Sequence, residues 1–266
     1  VKQFLTPTRQ TWLHRANPAA KLGLILLLFL LTLFTHSLDY IVYQALVMFI
    51  VLFLLSGHPP WKILLLVLPL MLVFVSSSIT MILFGKGDTT WWKWGLIRIS
   101  EESFYRGIHI GFKSITFAAE GLLYVLTTSS VALFYALMQK VKLAPKYAYS
   151  FMASVRLLPM VWEEFQIRRN ALQIRGVRQA RGIRGWVEQM KLYAVPLLSQ
   201  SIRRAHRVAV AMESKAFRSD RRRTYYYPSV FSGTDLWLPL LLAIAMGGAY
   251  GLSVLYPFFG IADVRY

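Results

Sequence analysis

Two short phrases, forty residues apart, each carry a cation next to their end. Ala171-Leu-Gln-Ile174-Arg175-Gly176 and Ala211-Met-Glu213-Ser214-Lys215-Ala216 both place a small residue four positions ahead of a positive side chain. The chemistry open to such residues is recognition: a guanidinium can hold a carboxylate through two parallel N–H donors, and an ammonium can hold one as a point charge. Their repetition says that the cation is placed. Groups for bond-making chemistry are not arranged for it. There is no cysteine, and His14, His36, His58, His109 and His206 stand apart without metal-ligand spacing. No Gly-x-x-x-x-Gly-Lys-[Ser/Thr] loop occurs, so ATP binding would fall to another subunit. The sequence therefore predicts a chain that is not an enzyme and carries no cofactor or metal. Glu120, inside an apolar run, is a functional candidate by default; the alternatives are reach to headgroups at the outer end or pairing with a neighbouring helix.

The elements that hold the two cations lie in 139–234, which carries nineteen of the thirty Lys and Arg residues against only five acids. The chain is 56% hydrophobic with a formal net charge of +18, and its mean hydropathy is +0.47. Long uncharged runs with locally concentrated charge describe an all-α polytopic membrane protein offering a basic surface on one side. Transmembrane helices are expected near Ala19–Thr35, Tyr40–Leu55, Ile63–Phe84, Ser114–Met138 and Leu236–Tyr256, about five spans at roughly twenty residues each. Gly57-His58-Pro59-Pro60 should break the chain before the third span. This divides the chain into membrane helices over 1–138, cytoplasmic helices over 139–234, and a last span with the C-terminus over 235–266. Lys2, Arg9, Arg15 and Lys21 flank the first span and place the N-terminus in the cytoplasm of a plasma-membrane protein. The loop 85–113, with Trp91, Trp92 and Trp94, reads as an interfacial anchor, and a re-entrant turn there would make six spans. Arg221-Arg222-Arg223 before Tyr225-Tyr226-Tyr227 reads as another anchor in membrane lipid, and not as a nucleic-acid patch.

Within the basic segment, Val161–Ile174 has the pattern of a surface helix, ended by Gly176 with Arg175 in its last turn. Arg178–Gly185 reads as a loose basic connector. After Pro196, Leu198, Ile202, Ala205, Ala209, Met212 and Ala216 repeat at steps of three and four and draw one apolar stripe, with Arg203, Arg204 and Arg207 opposite. A crossing of the two helices near Leu172 and Ala205 would bring both cation phrases to neighbouring helix ends.

These residues resemble the transmembrane T component of energy-coupling factor (ECF) transporters, of the CbiQ-like or YkoC-like type, which serve uptake of vitamins and transition-metal ions. In that family two Ala-Arg-Gly motifs end two cytoplasmic coupling helices; Ile174-Arg175-Gly176 looks like the first and Ser214-Lys215-Ala216 like the second. Arg156-Leu-Leu-Pro159 resembles the Arg-x-x-Pro ahead of the first helix, Ala211-Met-Glu213 precedes the second motif, and Arg223-Thr224 follows it at a familiar distance. The departures are Ile for Ala in the first motif, and Ser, Lys and Ala for Ala, Arg and Gly in the second. Gln179-Ala180-Arg181-Gly182 holds a literal Ala-Arg-Gly, so Arg181 stays an alternative to Arg175. The resemblance implies two ABC-type ATPase subunits docked on the coupling helices and a small integral S component that chooses the solute. Overall likeness to dedicated vitamin systems points to thiamine or its pyrimidine precursor. The rival readings are a self-contained secondary transporter and a membrane enzyme acting on phosphorylated or lipid-linked substrates.

Overall fold

The computed structural model describes residues 7–264 apart from 86, 88, 95–96, 177–181, 218–223, 230 and 262. They form two compact units: Val1–Ala136 with Ser229–Tyr266, and Leu137–Pro228. In the first, a one-turn helix α1 (Trp12–Arg15) leads into α2 (Pro18–Phe34), α3 (Leu38–Leu55) and α4 (Pro60–Phe84), then the antiparallel strands β1 (Thr90–Trp94) and β2 (Ile97–Ser100), then α5 (Glu101–Thr127) and α6 (Ser130–Lys140), whose last four residues belong to the second unit. The last helix of this unit, labelled α9 below, is Gly233–Leu255. Four helices, α3, α4, α5 and α9, are long and apolar enough to cross a membrane, and α2 is a shorter apolar helix of 17 residues. This is the all-α polytopic architecture that the apolar runs require.

Two expectations change. The residues 85–113 are not all loop, because β1 and β2 pair antiparallel and α5 begins at Glu101, capped by Ser100, whose Oγ accepts the Ser103 N–H. Trp91 and Trp92 are exposed on β1. The expected span Ser114–Met138 is divided: α5 ends at Thr127, Thr128 is extended, and Ser129 restarts the chain as the cap of α6, its Oγ accepting the Ala132 N–H at 3.3 Å. A hydroxyl that satisfies a helix's first donors makes a new N-terminus favourable where apolarity alone would continue the old one. The second span starts two residues before its expected Tyr40, with Leu38 and Asp39 already helical and Ser37 as cap.

α5 is the centre of the membrane unit, packing on α4, α3 and α2. Against α4 it presents Gly107 and Gly111, four residues apart on one face, so the backbones approach closely. A Cβ on Gly111 would lie 2.0 Å from Ser78 Oγ, and one on Gly107 would lie 2.4 Å from Ile82 Cγ1. Against α2 it makes three polar ties. Lys113 Nζ donates to the Leu33 carbonyl at 2.6 Å, Thr32 Oγ1 donates to Glu120 Oε1 at 3.1 Å, and Lys21 Nζ donates to the Thr127 carbonyl at 2.8 Å. The two helices are thus antiparallel, and at each end a lysine of one meets unsatisfied carbonyls at the C-terminus of the other, where the helix dipole favours a cation. Glu120 is fully buried and paired to α2 and to Gln44 of α3, so it does not reach headgroups. Lys21, expected as a flanking charge, is buried as well. Beyond α9 the chain returns to the start of α3, where Asp39 accepts the N–H groups of Phe259 (2.8 Å) and Gly260 (3.0 Å).

Candidate functional site

The second unit is built on two long helices, α7 (Pro145–Ile174) and α8 (Gly182–Ser214). Both run further than the sequence pattern suggests. α7 begins at Pro145, so Arg156 and Pro159 lie inside the first helix and not ahead of it. α8 begins at Gly182, so Pro196 is internal, and the part of the expected loose connector from Gly182 to Gly185 is helical. An internal proline removes one backbone hydrogen bond and crowds the preceding turn; here helix continues on both sides of each proline. Arg178, Arg181 and Arg223 lie outside the described residues.

The two cation phrases end these helices in the same way. At the end of α7, the Arg175 N–H donates to the Ala171 carbonyl at 3.2 Å, the Gly176 N–H donates to Gln173, and Gly176 adopts φ +67°. At the end of α8, the Ala216 N–H donates to the Glu213 carbonyl at 2.8 Å, the Phe217 N–H donates to Met212 at 3.0 Å, and Ala216 adopts φ +52°. Ser214 Oγ also donates to the Ala211 carbonyl at 3.0 Å. Both are left-handed caps that satisfy terminal carbonyls and leave Arg175 and Lys215 exposed at the negative helix ends. The echo in sequence is therefore an echo in backbone, and the small residues Ala171 and Ala211 sit one turn back at equivalent positions.

Ala216 carries the cost of this equivalence, because an L-residue with a Cβ is strained where φ is positive. Ala216→Gly is expected to stabilise the second unit by about 1 kcal/mol, read as a higher thermal midpoint of the purified chain. Gly176→Ala should lower it by a similar amount, since a Cβ there meets nothing within 4 Å and only the backbone term is at stake.

Between the helices, among the described residues, Glu164 meets Arg204, an ion pair whose side chains are 18% and 21% exposed, and Phe165 meets Tyr193, ring centroids 5.1 Å apart. This contact lies about two turns earlier on α7 than the expected one at Leu172, and Ala205 is exposed. A tilted aromatic contact and a largely buried ion pair outweigh what alanine can bury. Phe217, just past α8, packs on Tyr149 near the start of α7 with centroids 5.7 Å apart, so the two helices run antiparallel and the expected neighbouring of the cation phrases is not met: Tyr149 is about 39 Å of helix from Arg175. Glu164 and Arg204 are themselves forty residues apart, so the contact obeys the same offset as the cation phrases. Arg175 and Lys215 each follow their member of the pair by eleven residues, or about 16 Å of helix on nearly the same face. Sequence reading placed Arg204 on the polar face only; the shared offset was the signal that could have paired it. Glu164→Arg or Arg204→Glu alone should destabilise the helix pair by about 1–2 kcal/mol, and the double exchange should restore it, measured as a double-mutant cycle.

The expected apolar stripe is open. Leu198 is 61% exposed and Ile202 68%, while on α7 Ile167 and the motif residue Ile174 are exposed too. Leu198, Ile202, Ala205 and Ala209 thus form an uncovered face that runs towards the Lys215 cap. Glu213 is exposed beside it.

Comparison with known proteins bears on what such a unit belongs to. The family described as cobalt transport protein, CbiQ, matches residues 9–226. The chain belongs to the CbiQ family. It is a transmembrane T component of ECF type within that family. Among curated relatives, the energy-coupling factor transporter transmembrane protein EcfT of Listeria innocua is 27% identical over 257 residues, covering 89% of this chain and 92% of the relative. EcfT of Macrococcus caseolyticus is 26% identical over 234 residues, with 82% and 84% covered. EcfT of Streptococcus thermophilus is 24% identical over 254 residues, with 89% and 92% covered. The CbiQ-family match spans both cation phrases, and the CbiQ-family chain is accordingly a multi-pass membrane subunit of a transporter.

Proposed function

We propose that this T component couples two ABC-type ATPase subunits to a small integral S component, for uptake of a vitamin or similar micronutrient, with its N-terminus and second unit in the cytoplasm. The observation that carries the reading is the pair of similar helix ends: Arg175 and Lys215, each one residue before a left-handed position, stand at the tips of helices whose apolar faces are uncovered. An amphipathic helix laid in a groove is a recurrent recognition mode, and a terminal cation supplies a charge-assisted contact to an acidic group. Ile174, Gly176, Ser214, Ala216 and Glu213 would shape those tips; Arg156, Pro159, Ala171, Ala211 and Arg223 would support them. ATP hydrolysis in the partners would tilt α7 and α8, and the chain would act as a lever without catalysing any step. Affinity purification from native membranes tests this: two ABC-type ATPases and one small integral protein should co-elute, and elution of the chain alone would refute it.

A further inference from the structure

The chain leaves the membrane unit after Ala136 and returns at Ser229, and one short segment at the start of α2 ties both the end of α5, nine residues before that exit, and the point of return. On the outgoing side, Lys21 Nζ donates to the carbonyl of Thr127, the last residue of α5 before the break at Thr128. On the returning side, Asn17 Nδ2 donates to Ser229 Oγ at 2.9 Å, and the Asn17 backbone N–H donates to Asp235 Oδ1 at 2.6 Å. Asp235 in turn caps α9, its Oδ2 accepting the Ser232 N–H at 2.8 Å, and its charge attracts the Lys21 ammonium. Asn17, Lys21, Thr127 and Asp235 are all buried, Lys21 at 3% exposure. A lysine held out of water on a helix-terminal carbonyl is costly unless the contact is kept, and these contacts are not needed to close α2, whose cap is already made by Asn17 Oδ1 accepting the Ala19 N–H.

We infer that Asn17 and Lys21 are positioning residues, a clamp through which displacement of the coupling helices is delivered to the membrane helices: Lys21 passes it to α5 and Asn17 passes it to α9. This rests on the coupling function proposed above. The segment 137–228 joins the rest of the chain at two points, and the clamp makes one body of the ends of α5, α2 and α9. Without it, each connection could yield locally and the motion would dissipate.

The chain has no cysteine, so single cysteines report cleanly. Cysteines placed at Ile202, Val125 and Leu236, all exposed, lie on α8, near the end of α5 and at the start of α9. Their maleimide-labelling rates would be compared with and without ATP in the complex purified from native membranes. In the otherwise unaltered chain all three rates should respond to ATP. Lys21→Met should keep the response at Ile202 and reduce that at Val125 about tenfold, the scale of one lost charge-assisted hydrogen bond, and Lys21→Arg should restore it. Ser229→Ala, which leaves the α2 cap intact, should reduce the response at Leu236 and spare Val125; if Lys21→Met does not fold, this contrast decides alone. Equal responses in all variants, or equal loss at both membrane sites, would overturn the clamp. No ATP response at Ile202 in the unaltered chain would overturn the coupling reading beneath it.

Discussion

Reversing both cap charges, Arg175→Glu together with Lys215→Glu, is expected to abolish recovery of ABC-type ATPases with the chain while leaving it in the membrane at normal abundance. Both side chains are exposed at helix ends, outside the packed core of either unit, so their replacement removes little that holds the fold. Each reversal turns a charge-assisted contact into like-charge repulsion and places an acid at a helix C-terminus, where the dipole opposes it. With two such sites acting together, docking should weaken by more than about a thousandfold, read as lost co-elution and lost ATP-driven uptake. Lys215→Arg should be tolerated, because it keeps the charge on the same cap. Full co-elution with the double reversal would remove the two cations from the interface.

Introducing a side chain at the α4–α5 contact should have the other large effect, this time on the membrane unit itself. Gly107 and Gly111 face Ser78 and Ile82 so closely that a Cβ on Gly107 would also meet the Ser78 carbonyl at 2.9 Å, which is backbone and cannot swing aside. Gly107→Leu or Gly111→Val would have to push the helices apart, with a cost of about 3 kcal/mol or more. The expected outcome is aggregation or degradation of the chain, seen as loss of monodisperse protein in detergent. Ile79→Ala, at an exposed position of the same helix α4, should have little effect, which separates the packing argument from a general sensitivity of that span.

The parts of this fold that were legible before any coordinates are those governed by local rules. Apolar run length placed α2, α3, α4 and α9 to within a few residues, the Gly57-His58-Pro59-Pro60 break fell where two prolines demand it, and Gly176 took the left-handed cap its lack of a Cβ permits. What failed depended on which of two adequate local solutions the surroundings chose. Pro159 and Pro196 could each have opened a helix, yet helix formed on both sides; Ser129 could have continued a span, yet its hydroxyl began a new helix. Charged residues were the least legible. Lys21 and Lys113 look like flanking cations in sequence, whereas in the fold each is bound to carbonyls at the end of the other's helix, and nothing short of the antiparallel α2–α5 pairing could have revealed that. The Gly107-x-x-x-Gly111 spacing is a packing signal legible in the sequence, and it belongs to a helix that starts earlier than Ser114. In the second unit, the forty-residue offset carried more than the two cations, since Glu164 and Arg204 share it.

We propose a role in which the chain moves no solute by itself and converts work done elsewhere. It is met most directly by uptake into proteoliposomes carrying the complex purified from native membranes, with a panel of radiolabelled vitamins that includes thiamine and with the ATPase subunits either retained or stripped. Accumulation of one solute that requires both the ATPases and internal or external ATP at their face is the predicted result. Accumulation that persists in vesicles holding this chain with no ATP-hydrolysing subunit would contradict it.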